Sequence, residues 1–207
     1  MTTGDKPTIA AFDVDGTITT RDCVVPFMRR VTGAHRIVPR LGLRPDQMLP
    51  SLVRRDRDRI KSLAAAAAFR GHRDDELRRI GAEFAKVVHG GWLRSDTMQR
   101  FAEHLGAGHQ IVLVSASFEV YLKPLAELLG ATEVLATRLL SRDGVLTGAL
   151  DGANCRGPEK VRRLHQWLDE HHGGRSRTHV VAYGDSAGDR EMLADADVAH
   201  WVGRGAA

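Results

Sequence analysis

The 207-residue sequence is poor in cysteine, in aromatic residues and in long apolar runs. Its two cysteines, Cys23 and Cys155, match no C-x-x-C spacing, so they indicate neither a disulfide framework nor a zinc site. Aromatic residues make up only 5% of the chain, which argues against a surface that binds nucleic acid by stacking bases. The apolar run at 111–114 is far too short to cross a bilayer, and the first residues carry no apolar signal segment. We therefore expect a cytoplasmic protein with neither nucleic acid nor a membrane as its partner.

Charge is unevenly distributed along the chain. Residues 20–90 contain 16 Lys and Arg against 8 Asp and Glu, whereas the rest contains 14 against 18, although the net charge is only +4. One explanation is that Arg-rich helices simply keep this segment solvated. The other is a basic lid over an acidic site that receives an anion. A chain of this length builds one main core, with or without a smaller insertion.

Strand and helix patterns alternate over most of the chain. Apolar runs of strand length occur at 8–14, 109–117 and 178–186, and helical patterns occur at 95–106, 118–129, 158–171 and 190–194. Continuous apolar runs are typical of strands buried on both faces of a parallel sheet. Two β-rich runs flank Asp143-Gly144 and predict a hairpin that protrudes from that sheet.

The segment 20–90 has no convincing strand and contains four prolines and an amphipathic helix. We predict that one apolar face of this helix carries Leu77, Ile80, Gly81, Phe84 and Val87. The segment is therefore expected to form a helical cap, inserted after the first strand into a core made of 1–19 and 91–207. The predicted fold class is α/β: a Rossmann-like, doubly wound parallel sheet core with a small helical cap and a β-hairpin extension.

Polar residues follow the predicted strands at the points where the strands end. Because the carboxyl ends of parallel strands share one edge of a sheet, we expect these residues to converge. The set consists of Asp13, Asp15, Ser115, Asp185 and Asp189, with Lys160 at the start of a helix. Carboxylates crowded into a partly buried site stay ionised only if a cation lies among them. Oxygen ligands without histidine or cysteine predict that this cation is Mg²⁺.

These residue types suit phosphoryl transfer. A carboxylate that attacks a phosphate dianion needs positive charge and N–H donors at the phosphoryl oxygens. Lys160 supplies a fixed charge, while Ser115 and the backbone N–H groups after it, beginning with Ala116, supply hydrogen bonds. Gly16 lets the chain turn sharply after Asp15 and leaves room for a phosphate. Aspartate is a known covalent nucleophile in such chemistry, and water then opens its product.

Four segments resemble the four motifs of the haloacid dehalogenase-like (HAD) phosphatases. They are DVDGT at 13–17, SAS at 115–117, the lysine of CRGPEK at 155–160 and GDSAGD at 184–189. The helical insertion and the hairpin ending in LTG at 146–148 resemble the phosphoserine phosphatase-like branch, which has a small C1-type cap. Together these likenesses cover nearly the whole chain.

The resemblance implies roles for the residues of the first motif. Asp13 would be the nucleophile and a magnesium ligand. Asp15 would act as general acid and then as general base, with its backbone carbonyl also on the metal. Thr17 would hydrogen-bond near the nucleophile and fix the loop that binds phosphate at Gly16.

The resemblance also implies roles for the other three motifs. Ser115 and Lys160 would hold the phosphoryl oxygens. Asp185 would be the remaining metal ligand. Asp189 would bind the metal directly or through water, and it would orient Lys160.

The sequence differs from that branch at positions that touch the substrate. Phosphoserine phosphatases usually carry Glu nine residues after the nucleophile, where it meets the substrate amine, and this chain has Asp22. Ala116-Ser117 stands in place of a Gly-Gly pair, and Gly188 in place of an asparagine. A cap arginine is expected to bind a substrate carboxylate. Arg59 is the candidate. The alternative is that Arg59 is a solvated surface residue.

The leading hypothesis is a Mg²⁺-dependent phosphomonoesterase for a small phosphorylated metabolite, with amino-acid or amino-alcohol phosphates such as phosphoserine as the first class. A phosphotransferase of the same fold, which passes the phosphoryl group to an alcohol, stays open because only the access of water distinguishes the two. The acidic residues interleaved in the cap argue against a third hypothesis, an Arg-rich module that binds nucleic acid. The expected state is a monomer or a homodimer.

Overall fold

A five-stranded parallel sheet forms the centre of the protein. The computed structural model describes residues 6–32 and 57–203, except for the side chains of 57–60. The strands of the sheet are β1 (Thr8–Phe12), β2 (Gln110–Phe118), β3 (Glu133–Thr137), β6 (His179–Gly184) and β7 (Val198–Trp201), in the spatial order β3-β2-β1-β6-β7. All neighbouring pairs in this sheet are parallel, which confirms the predicted doubly wound fold.

Seven α-helices lie within the described residues, besides a short 3₁₀ helix at Arg175–Arg177. The α-helices are α1 (Val24–Thr32), α2 (Arg57–Phe69), α3 (Asp74–Gly91), α4 (Ser95–Gly106), α5 (Glu119–Leu129), α6 (Pro158–His172) and α7 (Arg190–Asp195). The helices α5 and α6 end where glycine takes a left-handed conformation, at Gly130 and Gly173. None of the described helices is both long and apolar enough to span a bilayer.

The sheet is covered on both faces, and β1 contributes to each side in alternation. Ala10 and Phe12 belong to one apolar cluster, which also contains side chains of α3, α4 and α5. Ile9 and Ala11 belong to a second cluster, built with side chains of α6 and α7. Every one of these four β1 side chains is fully buried. Burial on both faces explains why the strand is a continuous apolar run rather than an alternating one.

The order of the strands creates a crevice at the carboxyl end of β1. From β1 the chain moves to β2 and β3 on one side, and it then crosses to β6 and β7 on the other side. Because of this reversal, the loops that follow the neighbouring strands β1 and β6 diverge and leave a crevice between them. Ligands of open α/β sheets bind in such a crevice. The loops that follow β1 and β6 carry the predicted aspartates at 13–15 and 185–189.

The predicted hairpin is present and contacts the cap segment. Its strands, β4 (Leu139–Arg142) and β5 (Val145–Leu150), are antiparallel, and both turn residues, Asp143 and Gly144, have positive φ. Leu146 exchanges two backbone hydrogen bonds of 2.9 Å with the turn between α2 and α3, through the Gly71 N–H and the His72 carbonyl. The hairpin therefore protrudes from the sheet as expected, and it is held against the cap helices.

Helix α3 packs along α5, and its buried face differs from the prediction at one residue. Leu77, Gly81, Phe84 and Val88 are buried as part of this face. Val87, which the sequence placed there, is 43% exposed. Val87 and Val88 both lie about one helical turn after Phe84, and the packing of the helix buries Val88 instead of Val87.

Gly81 gives a direct test of this helix pair. A Cβ atom at Gly81 would lie 2.4 Å from the backbone oxygen of Val120 in α5, whereas a Cβ at Gly90 of the same helix would meet no atom within 4 Å. We expect Gly81→Ala to lower the free energy of unfolding by about 1–3 kcal/mol, because the two helices must separate. Gly90→Ala should leave it unchanged or raise it by up to about 1 kcal/mol through helix propensity. Urea unfolding of both variants measures the difference, and equal effects would contradict the close packing described here.

Candidate active site

Lys160 lies between two carboxylates at the centre of the crevice. Its Nζ atom is 2.6 Å from Asp13 Oδ1 and 2.6 Å from Asp189 Oδ1. The second oxygen of Asp13 accepts a hydrogen bond of 3.2 Å from the Thr17 hydroxyl. All four side chains are buried. The three predicted motifs at 13–17, 160 and 184–189 therefore meet in one charged cluster.

Burial and charge act in opposite directions within this cluster. Burial raises the pKa of Asp13 to about 7, while the positive charge of Lys160 acts to lower it. Burial would lower the pKa of Lys160, but Asp13 and Asp189 outweigh it and raise that pKa above its usual range. The lysine consequently stays protonated. Any further positive charge that enters the cluster favours the ionised form of Asp13.

Asp15 points away from this cluster, toward the beginning of the cap. Its Oδ1 accepts a hydrogen bond of 3.0 Å from the Cys23 backbone N–H, and its Oδ2 accepts one from the Ser117 hydroxyl. Burial raises the pKa of Asp15, although these hydrogen bonds partly oppose the rise. A raised pKa suits a carboxyl group that must carry a proton before it can donate one.

The peptide between Ala116 and Ser117 connects several parts of the site. The Ser117 N–H donates to Ser115 Oγ at 3.1 Å, so the Ser115 hydroxyl hydrogen is free to point elsewhere. The Ala116 carbonyl accepts from Thr137 Oγ1 at 2.8 Å and from Lys61 Nζ of the cap helix α2. Ser115, Ala116 and Ser117 all lie in β2, which ends at Phe118, and α5 begins only at Glu119, so the N–H of Ser117 serves this end of the strand rather than a helix terminus.

Three carboxylates form a group that could hold a metal ion. Ligand oxygens of Asp13, Asp185 and Asp189 all lie within 4.8 Å of one another. Oδ1 of Asp185 is buried and has no hydrogen-bond partner among the described residues, which is costly for a carboxylate oxygen without a cation. Burial and the charge of Asp189 raise the pKa of Asp185. An all-oxygen donor set with one unpaired oxygen fits Mg²⁺.

Gly16 allows the loop after β1 to approach the loop after β6. A Cβ atom at Gly16 would lie 2.3 Å from Asp185 Oδ2, and its φ of 82° is one that side chains rarely adopt. Any other residue would therefore push Asp185 away from Asp13. The carboxylate of Asp15 is outside the group of three, so its predicted contact with the metal through the backbone carbonyl remains a prediction.

A cavity of about 330 Å³ opens onto these residues. Its walls contain nine of the residues named by the sequence: Asp13, Asp15, Gly16, Asp22, Ser115, Ala116, Lys160, Asp185 and Asp189. Asp22 also has a structural task, because its Oδ1 accepts a 3.1 Å hydrogen bond from the Val25 N–H in the first turn of α1. Arg59 belongs to α2, and its side chain lies outside the described residues.

Two cavity residues were missed by the sequence analysis. Arg156 and Ser186 line the cavity, and the Ser186 N–H and hydroxyl donate to Asp189 Oδ2 at 3.0 and 2.8 Å. Ser186 lies inside the GDSAGD motif, so its position directly after Asp185 could have indicated it. Arg156 precedes Lys160 by four residues in a loop, and no periodic pattern reveals where a loop side chain points.

Comparison with known proteins agrees with this geometry. A family model for the haloacid dehalogenase-like hydrolases matches residues 10–194. Protein CicA of Caulobacter vibrioides is 34% identical over 199 residues, which cover 94% of this chain and 85% of that protein. Phosphoserine phosphatase SerB1 of Mycobacterium tuberculosis is 28% identical over 194 residues, which cover 91% of this chain and 62% of that protein.

Solved structures share the fold. A protein of unknown function from Bordetella pertussis has a TM-score of 0.73 at 24% identity, over 92% of this chain and 87% of that one. A probable phosphoserine phosphatase from Vibrio cholerae has a TM-score of 0.60 at 17% identity, over 92% of this chain and 54% of that one. With four motifs converging on one cavity and a family match over most of its length, the chain belongs to the haloacid dehalogenase-like hydrolases.

Proposed function

We propose that this protein is a Mg²⁺-dependent phosphomonoesterase that works through a phosphoryl group carried by Asp13. One observation carries the proposal: a buried aspartate faces a cavity, with one oxygen on Lys160 and the other on Thr17. Both contacts orient the carboxylate, and the lysine limits the charge repulsion that an incoming phosphate dianion would meet. The relatives named phosphoserine phosphatase support the same reaction class.

The proposed reaction has two steps. An oxygen of Asp13 attacks phosphorus, and the ester oxygen leaves with the proton that Asp15 holds. Asp15, now ionised, then takes a proton from water, which attacks phosphorus and frees orthophosphate and Asp13. Mg²⁺ held by Asp13, Asp185 and Asp189 would supply positive charge at the phosphoryl oxygens. Ser115 and Lys160 would bind those oxygens throughout.

The proposed substrate is a small phosphate ester with a positively charged leaving group. Asp22 lies on the cavity wall and is exposed, so its carboxylate can accept an ammonium group of the substrate. This favours amino-acid or amino-alcohol phosphates, with phosphoserine as one example. The proposal includes a cytoplasmic location and a monomer or homodimer that acts without nucleic acid or membrane.

Replacement of the nucleophile tests the reaction. We expect Asp13→Asn to reduce phosphate release from phosphoserine, phosphoethanolamine and an aryl phosphate by at least about 1,000-fold, because an amide cannot form the intermediate. EDTA should abolish release by the wild type, and excess Mg²⁺ should restore it. Rapid quench with a ³²P-labelled ester should find acid-stable label on the wild type only.

Asp75→Asn provides the matched control. It makes the same change at an exposed carboxylate that pairs with Arg73 on the surface, so activity should stay at the wild-type level. Activity retained by Asp13→Asn would contradict the proposed nucleophile. Label passed to an added alcohol in preference to water would instead identify a phosphotransferase.

The role of Asp22 can be separated from its structural task. Asp22→Asn keeps an oxygen that can accept the Val25 N–H at the start of α1, but it removes the negative charge. We expect KM for phosphoserine and phosphoethanolamine to rise about tenfold, the size of one charge-assisted hydrogen bond, while KM for an aryl phosphate stays constant. Steady-state kinetics on the three esters give the answer. An equal rise for all three would assign Asp22 to the fold rather than to the substrate.

A further inference from the structure

We infer that Arg156 binds the phosphoryl oxygens of the substrate and of the orthophosphate product. This inference rests on the proposed phosphatase function and adds a residue to it. Arg156 is half-buried and lines the same cavity as Asp13, Ser115 and Lys160. It lies in the loop before α6, four residues ahead of Lys160, so both cations reach the cavity from one short segment.

The charges around the cavity leave one role unfilled, that of a cation that binds the incoming anion. Lys160 is already in contact with two carboxylates at 2.6 Å, so much of its charge is neutralised before a substrate arrives. Among the described residues, the cavity walls carry five carboxylates, those of Asp13, Asp15, Asp22, Asp185 and Asp189, and two cationic side chains, Arg156 and Lys160. Within residues 6–32 and 61–203, no carboxylate forms an ion pair with Arg156. Of the cationic side chains that the structure describes at this cavity, Arg156 is therefore the one that is available to an incoming anion.

Contacts with the loop after β6 direct the side chain of Arg156. A Cβ atom at Gly188 would lie 3.2 Å from Arg156 Cγ and 3.1 Å from its Nε, so the side chain crosses the face of this glycine. The loop that carries Arg156 is itself fixed there, because the Gly157 N–H donates to the Gly188 carbonyl at 2.9 Å. Gly188 directly precedes Asp189, which holds Lys160. The side chain of Arg156 is thus held beside Gly188, on the loop that also carries Asp185 and Asp189.

A different segment of the cavity wall is suited to the leaving group. Asp22 comes from the segment that leads into α1 and the cap, whereas Arg156 and Ser186 come from the loops of the core. A planar guanidinium can donate two parallel hydrogen bonds to two phosphoryl oxygens, which an ammonium cannot. Such a contact is present with every ester and with orthophosphate, whatever the leaving group is.

The test compares two arginines that are six residues apart. Arg156→Gln removes the charge inside the cavity, and Arg162→Gln removes one from an exposed side chain that pairs with Glu159 on the surface of α6. For Arg156→Gln we expect kcat/KM to fall by about 10- to 100-fold for phosphoserine and an aryl phosphate alike. The Kd of orthophosphate, measured by calorimetry in the presence of Mg²⁺, should rise by a similar factor. Arg162→Gln should change neither quantity.

A second variant separates position from charge. Gly188→Ala keeps the arginine but pushes it aside, so it should weaken orthophosphate binding in the wild type and have little further effect in Arg156→Gln. Melting curves check that each variant is folded. An unchanged Kd for orthophosphate in a folded Arg156→Gln, or a loss confined to phosphoserine, would overturn the inference.

The inference and the proposed function fail in different ways. If the wild type hydrolyses esters and Arg156→Gln binds orthophosphate normally, the function stands and the inference is wrong. If the wild type hydrolyses no ester but binds orthophosphate in a manner that depends on Arg156, the inference stands and the function is wrong.

Discussion

The buried contact between Lys160 and its two carboxylates constrains most of this structure. A buried carboxylate is costly without a partner, and the removal of one member leaves the others uncompensated. Lys160 reaches Asp13 and Asp189 because α6 begins at Pro158, directly after Gly157, whose φ of 58° turns the chain into the helix. The loops after β1 and β6 and the start of α6 are therefore held in one arrangement by a single ammonium group.

The two aspartates that we propose as catalytic are oriented by different parts of the molecule. Asp13 is held by Lys160 and Thr17, which belong to the core. Asp15 is held by Ser117 and by the backbone of Cys23, where the chain leaves the core for α1. In the proposed reaction, nucleophilic attack and proton transfer would thus depend on separate supports. Mutations in the first part of the cap should affect the proton-handling group more than the nucleophile.

Much of the fold and the centre of the site could be predicted from the sequence. Strands buried on both faces are continuous apolar runs, and the carboxyl ends of parallel strands meet, so Asp13, Ser115 and Asp185 had to converge. The end of α5 could also be predicted locally, because Gly130 directly follows it and glycine commonly ends a helix. The family resemblance supplied the roles of these residues, while periodicity supplied only their places.

Other features depend on contacts that no local pattern encodes. Val87 was assigned to a buried stripe because both Val87 and Val88 fit a helical period, and only the packing against α5 decides between them. Arg156 lies in a loop, and its direction follows from a long-range contact with Gly188. The second task of Asp22, at the start of α1, became visible only with the hydrogen bond to Val25.

Lys61 connects helix α2, in the predicted cap, to the end of β2 beside the candidate active site. Its ammonium group donates to the Ala116 carbonyl and to Asn154 Oδ1 at 3.0 Å, and it lies 4.7 Å from the centre of the Phe118 ring. The N–H of the same Ala116–Ser117 peptide donates to Ser115, and the Ser117 hydroxyl donates to Asp15. Movement of α2 away from the core would break a charged hydrogen bond on this peptide. Substrate entry or product release by such a movement would weaken the support of Ser115 and Asp15. That support would form again only when α2 returned.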